Sequence, residues 1–220
     1  MNFRFTNRTG GVSTGAFASL NLGSHVGDQL SDVLRNRQIV SESLGSIQFM
    51  KQVHGERIAI IESTVDDEPT ADALITGIPG INLAVQVADC IPLLLSSPEA
   101  VAAVHVGRKG LVNDISKKTL DVMRHMGSTS IQAFIGPSIC GRCYEVSEDI
   151  YSQVVALHPR SASRTSLQKY ALDLPAALRE VLDSEGVEII DHTICTVENH
   201  DLFSFRRDGV TGRQAGFISL

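Results

Sequence analysis

The residues best suited to chemistry lie in the stretch 82–110, NLAVQVADCIPLLLSSPEAVAAVHVGRKG. Apolar segments rich in Val, Leu, Ile and Ala flank a turn at Ser97-Pro98, as expected for strands buried on both faces. A hairpin centred on that turn pairs Cys90 with His105 and places their Cβ atoms roughly 5 Å apart on one face. The two groups could then share a proton or a metal ion. Pro92 is the weak point of this register, because proline cannot donate to the ladder.

A third donor would turn this pair into a metal site. His54 lies beside Gly55 between two predicted strands, where a lone histidine is more often structural than a ligand. If His54 came close to Cys90 and His105, the three groups would form the donor set of a catalytic zinc, which keeps a fourth position open. Such an ion lowers the pKa of its bound water to about 7. Asp89, next to the proposed thiolate, could orient a ligand or act as a base.

Two other arrangements of thiols remain open. A metal-free dyad of Cys90 and His105, in which the imidazole activates a nucleophilic thiolate, fits the same hairpin. Cys140 and Cys143 form a C-x-x-C pair before a predicted helix. That spacing is typical of a redox pair, or of half a structural zinc site completed by Cys195 and a histidine, but two unconnected thiols are the commoner case.

Charged side chains elsewhere suggest an anion site. Two adjacent arginines, Arg206 and Arg207, are most simply part of a salt-bridged turn, yet they also suit bidentate binding of phosphate. Arg207 is the first choice for this role. Arg8, which precedes the Gly/Ser/Thr-rich loop 9–15, is the second. Glu145 is either a residue at the start of a helix or a buried acid able to move protons.

Length, composition and charge limit the class of protein. The chain has 220 residues, of which 43% are hydrophobic and 20% charged, with a net charge of −6. These values predict a globular protein and argue against nucleic acid or a membrane as partner. Four cysteines without an apolar leader segment predict a cytoplasmic protein. With no repeat or linker, the simplest account is one mixed α/β domain over residues 1–220.

Periodicity and capping signals predict the elements that surround the site. Residues 31–44 form an amphipathic helix with Leu34 on its inner side, and residues 114–126 form a second. Ser147 and Asp173 are the expected N-caps of two more helices. Strands are expected at 47–53, 58–62, 131–135 and near 217.

In combination, short segments along the whole chain resemble the bacterial laccase-domain family, also called polyphenol oxidases. No single segment is specific, but together they run in the family's order from end to end. They are Thr9-Gly-Gly-Val-Ser-Thr-Gly15, Asn21-Leu-Gly23, Gln52-Val-His54-Gly55, Ala71-Asp-Ala73, Ala88-Asp-Cys90-Ile-Pro92, His105-Val-Gly107, Gly136-Pro-Ser-Ile139, Tyr144-Glu-Val146, Asp173-Leu174 and Phe203-Ser-Phe-Arg-Arg-Asp-Gly209.

The resemblance implies a four-layer α/β/β/α fold with mixed sheets. It also implies that His54, Cys90 and His105 line one pocket and bind the metal, with zinc favoured over copper. Members of the family are described as zinc-dependent purine nucleoside phosphorylases with adenosine deaminase activity, acting on adenosine, inosine and methylthioadenosine. A purine nucleoside and phosphate are therefore the expected partners, whereas the oligomeric state is left open.

One segment departs from the family's pattern. Where the family usually reads His-Ala-Gly-Trp-Arg-Gly, this chain reads His105-Val-Gly-Arg108-Lys109-Gly110. A stacking surface for a base is lost, and a possible phosphate contact becomes Lys109, which is not equivalent to arginine in bidentate recognition. The metal ligands are untouched, so this departure concerns the choice of substrate.

Two further functions are compatible with the same pocket. One branch of the family is described as a peptidoglycan-editing factor, so a hydrolase or binder of cell-wall precursors is an alternative. A copper-dependent polyphenol oxidase is disfavoured, because the seven histidines lack paired His-x-His spacings and a single three-ligand site cannot relay four electrons to oxygen.

Overall fold

The computed structural model describes residues 2–65 and 67–220, so Met1 and Asp66 lie outside the description. The strands are β1 Asn2–Phe5, β2 Ile47–Gln48, β3 Ile58–Ile60, β4 Ala73–Thr76, β5 Asn82–Val87, β6 Ile91–Ser96, β7 Val101–Val106, β8 Gln132–Ile135, β9 Ala162–Arg164, β10 Tyr170–Leu172, β11 Glu188–Asp191 and β12 Gln214–Ser219. The α-helices are α1 Leu30–Leu44, α2 Arg108–Val112, α3 Ile115–His125, α4 Glu148–Leu157, α5 Leu174–Ser184 and α6 Phe205–Asp208.

Two mixed sheets form the centre of the molecule. The six-stranded sheet has the order β11-β8-β6-β7-β4-β3, and the four-stranded sheet has the order β1-β12-β5-β2. Each contains both parallel and antiparallel neighbours: β3 pairs parallel to β4, for example, whereas β6 pairs antiparallel to β7. The short β9 and β10 pair separately. The predicted mixed α/β fold is therefore confirmed.

The layers follow from the side-chain alternation of the central strands. Leu93 and Leu95 of β6 pack among α3 and α5, whereas Leu94 between them packs toward the four-stranded sheet. The outer face of that second sheet is covered by α1, through Val40 against Phe217. The order of layers is helix, sheet, sheet, helix, as the family resemblance implied.

The hairpin of β6 and β7 has a different register from the predicted one. Pro92, not Cys90, lies opposite His105, because the turn spans 97–100 and is closed by the Ser97 N–H donating to Ala100 O at 2.9 Å. The shift is two residues, so it keeps every side chain on its predicted face. Cys90 and His105 are consequently diagonal neighbours on the face toward the second sheet.

Proline at position 92 is tolerated within this central strand. Its carbonyl accepts from Gly136 N at 3.1 Å, just beyond the end of β8. The N–H and C=O of one residue point the same way in an antiparallel ladder. The N–H that Pro92 lacks would therefore point past the end of β8, so no bond of the ladder is lost. The predicted difficulty therefore does not arise.

Two predicted elements differ from the structure, one in the face that it buries and one in its length. Helix α1 forms where expected, but Leu34 is 54% exposed, and the prediction that it faces inward is wrong. The inward side carries Val33, Asn36 and Val40, because Asn36 donates to Ser19 O and Asn21 O and so holds the N-terminal loop. The strand expected at 47–53 is reduced to β2.

The capping signals are confirmed. Ser147 Oγ accepts from Ile150 N at 3.4 Å, and Asp173 Oδ1 accepts from Ala176 N at 2.9 Å, so α4 and α5 begin where predicted. Across residues 2–65 and 67–220, no helix combines the length and apolarity needed to cross a bilayer.

Candidate metal centre and adjoining cavity

The chain passes from one sheet to the other through the bend between β5 and β6. Asp89 in this bend has φ +93, a left-handed conformation that needs support from its surroundings. Its carboxylate accepts from Thr196 Oγ1 at 2.6 Å, Ser204 Oγ at 2.7 Å and Arg206 N at 2.6 Å. These bonds fix the bend to the C-terminal segment, and they position Cys90 at the end of the gap between the sheets.

A buried carboxylate positions both imidazoles. Asp72, which is 0% exposed, accepts the backbone N–H groups of Val53, His54 and Gly55 at 3.2, 2.9 and 2.7 Å. The same side chain bonds His105 Nδ1 at 2.9 Å. His54 is thereby held at φ +57. The group that orients the two imidazoles is therefore Asp72, whereas the Asp89 carboxylate, within residues 2–65 and 67–220, hydrogen-bonds to neither histidine.

The three predicted donors are brought together. One ligand atom from each of His54, Cys90 and His105 lies within 4.8 Å of the other two. Cys90 Sγ is 3.9 Å from His54 Nε2, and the two imidazole centroids are 4.7 Å apart. Gly107 leaves the space for this approach, because a Cβ there would lie 2.9 Å from Cys90 Sγ. The donor set and its spacing fit a single metal ion.

Without a metal, the site is an ion pair. Burial by itself raises the pKa of the Cys90 thiol, but the charge and hydrogen bonds of His105 and His54 outweigh it and lower that pKa to about 6. Burial likewise disfavours the cationic form of His105, but the Cys90 thiolate and the Asp72 carboxylate together raise its pKa to about 9. At neutral pH the thiol is ionised and ready to bind a cation.

Alkylation of the metal-free protein should report this ionisation. Since the thiolate is the nucleophile, labelling of Cys90 by iodoacetamide should accelerate as the pH rises through about 6 and level off above it. In His105→Asn the cation is gone, and the midpoint should move up toward roughly 8.5, the value of an ordinary thiol.

Cys90→Ser is the control, because it removes the labelled site and leaves the other three thiols. Mass spectrometry of the labelled peptide identifies the modified cysteine. A midpoint near that of an ordinary thiol in the unsubstituted protein would contradict the ion pair.

A cavity of about 410 Å³ opens onto the three donors. Its volume lies within the roughly 300–1,000 Å³ typical of small-molecule sites. Its walls come from both sheets, the bend and the C-terminal segment. The lining residues are His25, Gln52, His54, Gln86, Val87, Ala88, Asp89, Cys90, His105, Ile139, Tyr144, Phe205, Arg206 and Arg213.

The other residues expected to bind substrate or move protons lie elsewhere. Arg207 donates to the backbone carbonyls of the 196–202 loop and pairs with Asp208, so its guanidinium is occupied. Arg8 donates to Ala18 O at 2.8 Å, outside the cavity lining. Lys109 is exposed on α2. The Glu145 carboxylate pairs with Lys169 at 3.0 Å and also lies outside the cavity lining.

Two different arginines reach the cavity. Arg206 and Arg213 both line it, and among residues 2–65 and 67–220 neither has a carboxylate oxygen within 4.0 Å. The Arg206 guanidinium lies 5.0 Å from the centroid of Tyr144. The sequence marks the Arg206-Arg207 pair and favours Arg207 of the two, and nothing in the sequence marks Arg213.

A second group of donors lies beside the cavity. Ligand atoms of Cys140, Cys143, Cys195 and Glu198 all lie within 4.8 Å of one another. Burial, together with the neighbouring thiols, raises the pKa of Cys140 and of Cys143. A redox pair needs a lowered thiol pKa, so the structure disfavours that reading of the C-x-x-C spacing.

Comparisons with known proteins extend over the whole chain. A family model described as multi-copper polyphenol oxidoreductase laccase matches residues 2–220. The chain is 40% identical to purine nucleoside phosphorylase SCO2081 of Streptomyces coelicolor, over 100% of this chain and 95% of that protein. It is 42% identical to purine nucleoside phosphorylase Cgl2154/cg2365 of Corynebacterium glutamicum, over 98% and 93%. The solved structure of Neisseria meningitidis protein NMB0706 is similar with a TM-score of 0.90 at 35% identity, covering 99% of this chain and 93% of that one.

Proposed function

Because the chain belongs to the multi-copper polyphenol oxidoreductase laccase family, we propose that it is a metal-dependent enzyme that cleaves purine nucleosides with phosphate. Two relatives at 40% and 42% identity are named purine nucleoside phosphorylases. One structural observation supports the same reaction: a single cavity joins a three-donor metal set to two arginines that lack a carboxylate partner among the described residues. The substrates are adenosine, inosine or methylthioadenosine, together with phosphate.

The reaction transfers a ribosyl group. A phosphate oxygen forms a bond to C1′ of the ribose, and the bond from C1′ to the purine nitrogen breaks, with its electron pair leaving on the purine. The purine takes up a proton as it leaves, and the products are the free base and ribose 1-phosphate, or 5-methylthioribose 1-phosphate from methylthioadenosine. Catalysis therefore needs a group that holds the phosphate dianion near C1′ and a group that stabilises the negative charge developing on the purine.

Arg206 and Arg213 are the residues that would hold the phosphate. Guanidinium groups match phosphate oxygens in bidentate geometry. Arg206 is anchored on one side, since one of its nitrogens donates to Glu145 O at 2.6 Å. Arg213 donates to Thr211 O and Gly212 O at 3.1 and 2.9 Å, both through Nη1. Each guanidinium therefore has further N–H groups for an anion.

Neutral donors on the cavity wall would bind the purine. Gln86 Nε2 is buried and has no hydrogen-bond partner within residues 2–65 and 67–220. A base nitrogen or carbonyl would satisfy it, and leaving it unpaired costs about 1–3 kcal/mol. Burial raises the pKa of the Tyr144 hydroxyl, which keeps it protonated as a donor at neutral pH. Burial lowers the pKa of His25, so that imidazole is neutral there.

Zinc is the metal that we propose for His54, Cys90 and His105. A soft thiolate and two imidazoles suit zinc, and three protein ligands are the number found in catalytic zinc sites. When bound, such an ion offers an open position that polarises a ligand oxygen or activates water. The Asp72 carboxylate would keep His105 in the tautomer that presents Nε2 to the ion.

The reaction is tested by product formation with and without phosphate. Inosine plus phosphate should give hypoxanthine and ribose 1-phosphate in equal amounts, and no base should be released when phosphate is omitted. Arg206→Ala and Arg213→Ala should each raise the KM for phosphate by about 10-fold or more, since a charge-assisted hydrogen bond contributes about 1.5–3 kcal/mol.

Lys109→Ala is the matched control, because it removes a cation that lies outside the cavity lining. Its KM for phosphate should stay within about twofold of the parent value. If Lys109→Ala raised this KM while the two arginine variants did not, the phosphate site would be misassigned. Absence of phosphate-dependent cleavage would refute the function itself.

Hydrolytic deamination of adenosine is a second candidate, favoured by the donor set alone. A metal with three protein ligands leaves a position for water, and the cavity beside it has the volume for a nucleoside. Attack would occur at C6 of the purine instead of C1′ of the ribose, so the nucleoside would have to bind in a different orientation. Release of ammonia and inosine from adenosine without phosphate tests it.

The two alternative functions make different predictions. A copper oxidase would consume oxygen with a phenol as substrate, yet the described residues hold only one donor group that contains histidines, and it includes just two. A hydrolase of peptidoglycan precursors would turn over muropeptides without phosphate. Assaying all substrates on one preparation with known metal content decides among the four functions.

A further inference from the structure

We propose that Cys140, Cys143, Cys195 and Glu198 bind a second zinc ion, which has a structural role. Three sulfur atoms and a carboxylate oxygen lie within 4.8 Å of one another. Four protein donors close a tetrahedral shell, unlike the three donors at the cavity, and closed shells rich in thiolate are typical of structural zinc. This site is independent of the proposed reaction on nucleosides.

The backbone presents the four donors in two similar turns. Cys140 and Cys143 form a C-x-x-C segment, and Cys195 and Glu198 form a C-x-x-E segment of the same length. In the first turn, Tyr144 N donates to Cys140 O at 3.1 Å. In the second, Asn199 N donates to Cys195 O at 3.0 Å, again four residues back. Each turn therefore directs its first and fourth side chains to one side, as in zinc sites with two-residue spacers.

A bridge between the two segments places the turns side by side. Ser138 N donates to Ile194 O at 3.1 Å, and Thr196 N donates to Ser138 O at 3.2 Å. These bonds form a parallel pair between Ser138, two residues before the first turn, and Cys195, at the start of the second. The donors are separated by 55 residues in sequence, from Cys143 to Glu198. Tertiary structure therefore brings the two halves of the site together.

The distances fit a tetrahedral shell. Cys143 Sγ lies 3.7 Å from Glu198 Oε1. Two ligand atoms at about 2.3 Å (sulfur) and 2.1 Å (oxygen) from a tetrahedral zinc are roughly 3.6 Å apart. Arg142 Nη2, 3.9 Å from Glu198 Oε1, would offset part of the negative charge of three thiolates and a carboxylate. The three cysteines are half-buried, so the ion would be shielded on the protein side.

The position of the site indicates what the ion stabilises. Ile139 and Tyr144, which flank the first turn, both line the cavity. Thr196, within the second turn, donates to Asp89 Oδ1 at 2.6 Å and so supports the bend that carries Cys90. A metal bound here would connect the wall of the cavity to the segment that fixes the bend.

Metal content of the full-length protein tests the proposal. Protein purified under reducing conditions and loaded with zinc should contain about two equivalents by elemental analysis, and Cys143→Ser should lower this to about one. Cys90→Ala should also retain about one equivalent, held by the second site. In Cys90→Ala, one equivalent of cobalt should give thiolate charge-transfer absorbance, and Cys195→Ser added to that variant should abolish it. Glu198→Gln should weaken binding and keep the sulfur bands.

The controls separate this site from the one at the cavity. Arg142→Ala leaves all four donors in place and should keep about two equivalents, which shows that a change in the turn alone does not release metal. Binding of zinc should also protect the three cysteines from alkylation in Cys90→Ala. Metal content that is unaffected by both Cys143→Ser and Cys195→Ser would overturn the proposal. A disulfide between any two of these cysteines in the protein as isolated from reducing buffer would also overturn it.

Either result leaves the proposed enzyme activity separately testable. Loss of the metal in Cys90→Ala together with retention of it in Cys143→Ser would locate the only ion at the cavity and refute the second site alone. Two equivalents without any cleavage of nucleosides would support the second site and refute the proposed function alone.

Discussion

Asp72→Asn is expected to destabilise the protein by about 1–3 kcal/mol, because it leaves at least one N–H that bonds the buried Asp72 carboxylate without an acceptor. Each carboxylate oxygen of Asp72 accepts two hydrogen bonds: Oδ1 from His54 N and His105 Nδ1, Oδ2 from Val53 N and Gly55 N. The asparagine side chain keeps only one of these two oxygens as an acceptor, because an NH₂ group takes the place of the other. Whichever way it is oriented, its NH₂ group faces at least one backbone N–H, which cannot accept a hydrogen bond. A whole domain is stable by only about 5–15 kcal/mol, so this loss would be large.

Urea denaturation of metal-free protein measures the effect, and Asp191→Asn is the matched control. Asp191 is an exposed carboxylate that also accepts a backbone N–H, from Thr193 at 2.8 Å. The same substitution there should cost less than about 1 kcal/mol, since water can satisfy the displaced donors. Asp72→Asn should in addition weaken zinc binding by about 10–100-fold, as loss of a partner that orients a ligand imidazole does. Equal stability of the two variants would show that the carboxylate is not the anchor inferred here.

His54→Asn is expected to lower turnover of nucleosides by about 10³-fold or more. Removing one of the three proposed protein ligands would release the metal, whose contribution to stabilising charge would be several kcal/mol. Asparagine suits this position because it tolerates the left-handed backbone, and His54 has φ +57. The side chain is exposed, so the loss of activity should not come with unfolding.

His125→Asn is the control for the loss of an exposed imidazole. His125 lies at the end of α3, where its Nδ1 contacts Asp121 O at 2.6 Å, outside the cavity lining. Turnover and metal content should both match those of the parent protein in this variant. Circular dichroism and elemental analysis complete the comparison. Full activity of His54→Asn with bound metal would remove His54 from the proposed donor set.

Local signals in the sequence were sufficient where short-range physics decides the structure. Ser147 and Asp173 cap their helices as predicted, because an N-cap bond joins residues three apart. The strands on either side of Cys90 were also found, since runs of Val, Leu, Ile and Ala are typical of strands buried on both faces. The predicted bounds of helix α1 are correct, but its predicted inward face is wrong. The buried hydrogen bonds of Asn36 outweigh the apolar character of Leu34.

At the candidate site, too, strand periodicity could be read from the sequence, whereas the positions of the arginines could not. The predicted hairpin pairs Cys90 with His105 in a register two residues from the observed one, yet on the correct face, because side chains alternate with a period of two. Arg207 is the phosphate ligand expected from the sequence, but in the structure its guanidinium donates to backbone carbonyls. Which of two adjacent arginines faces a cavity depends on how a helix lies against the rest of the fold.

The sequence by itself determined the types of donor at the site and the faces of the strands that carry two of them. Residue identity sets the chemistry of a ligand, and strand periodicity sets its direction. Only the tertiary structure decided which distant segments meet: His54 through Asp72, Arg213 at the cavity wall, and Cys195 beside the Cys140–Cys143 turn. These contacts arise when two sheets pack together, because packing brings side chains within a few ångströms regardless of their separation along the chain.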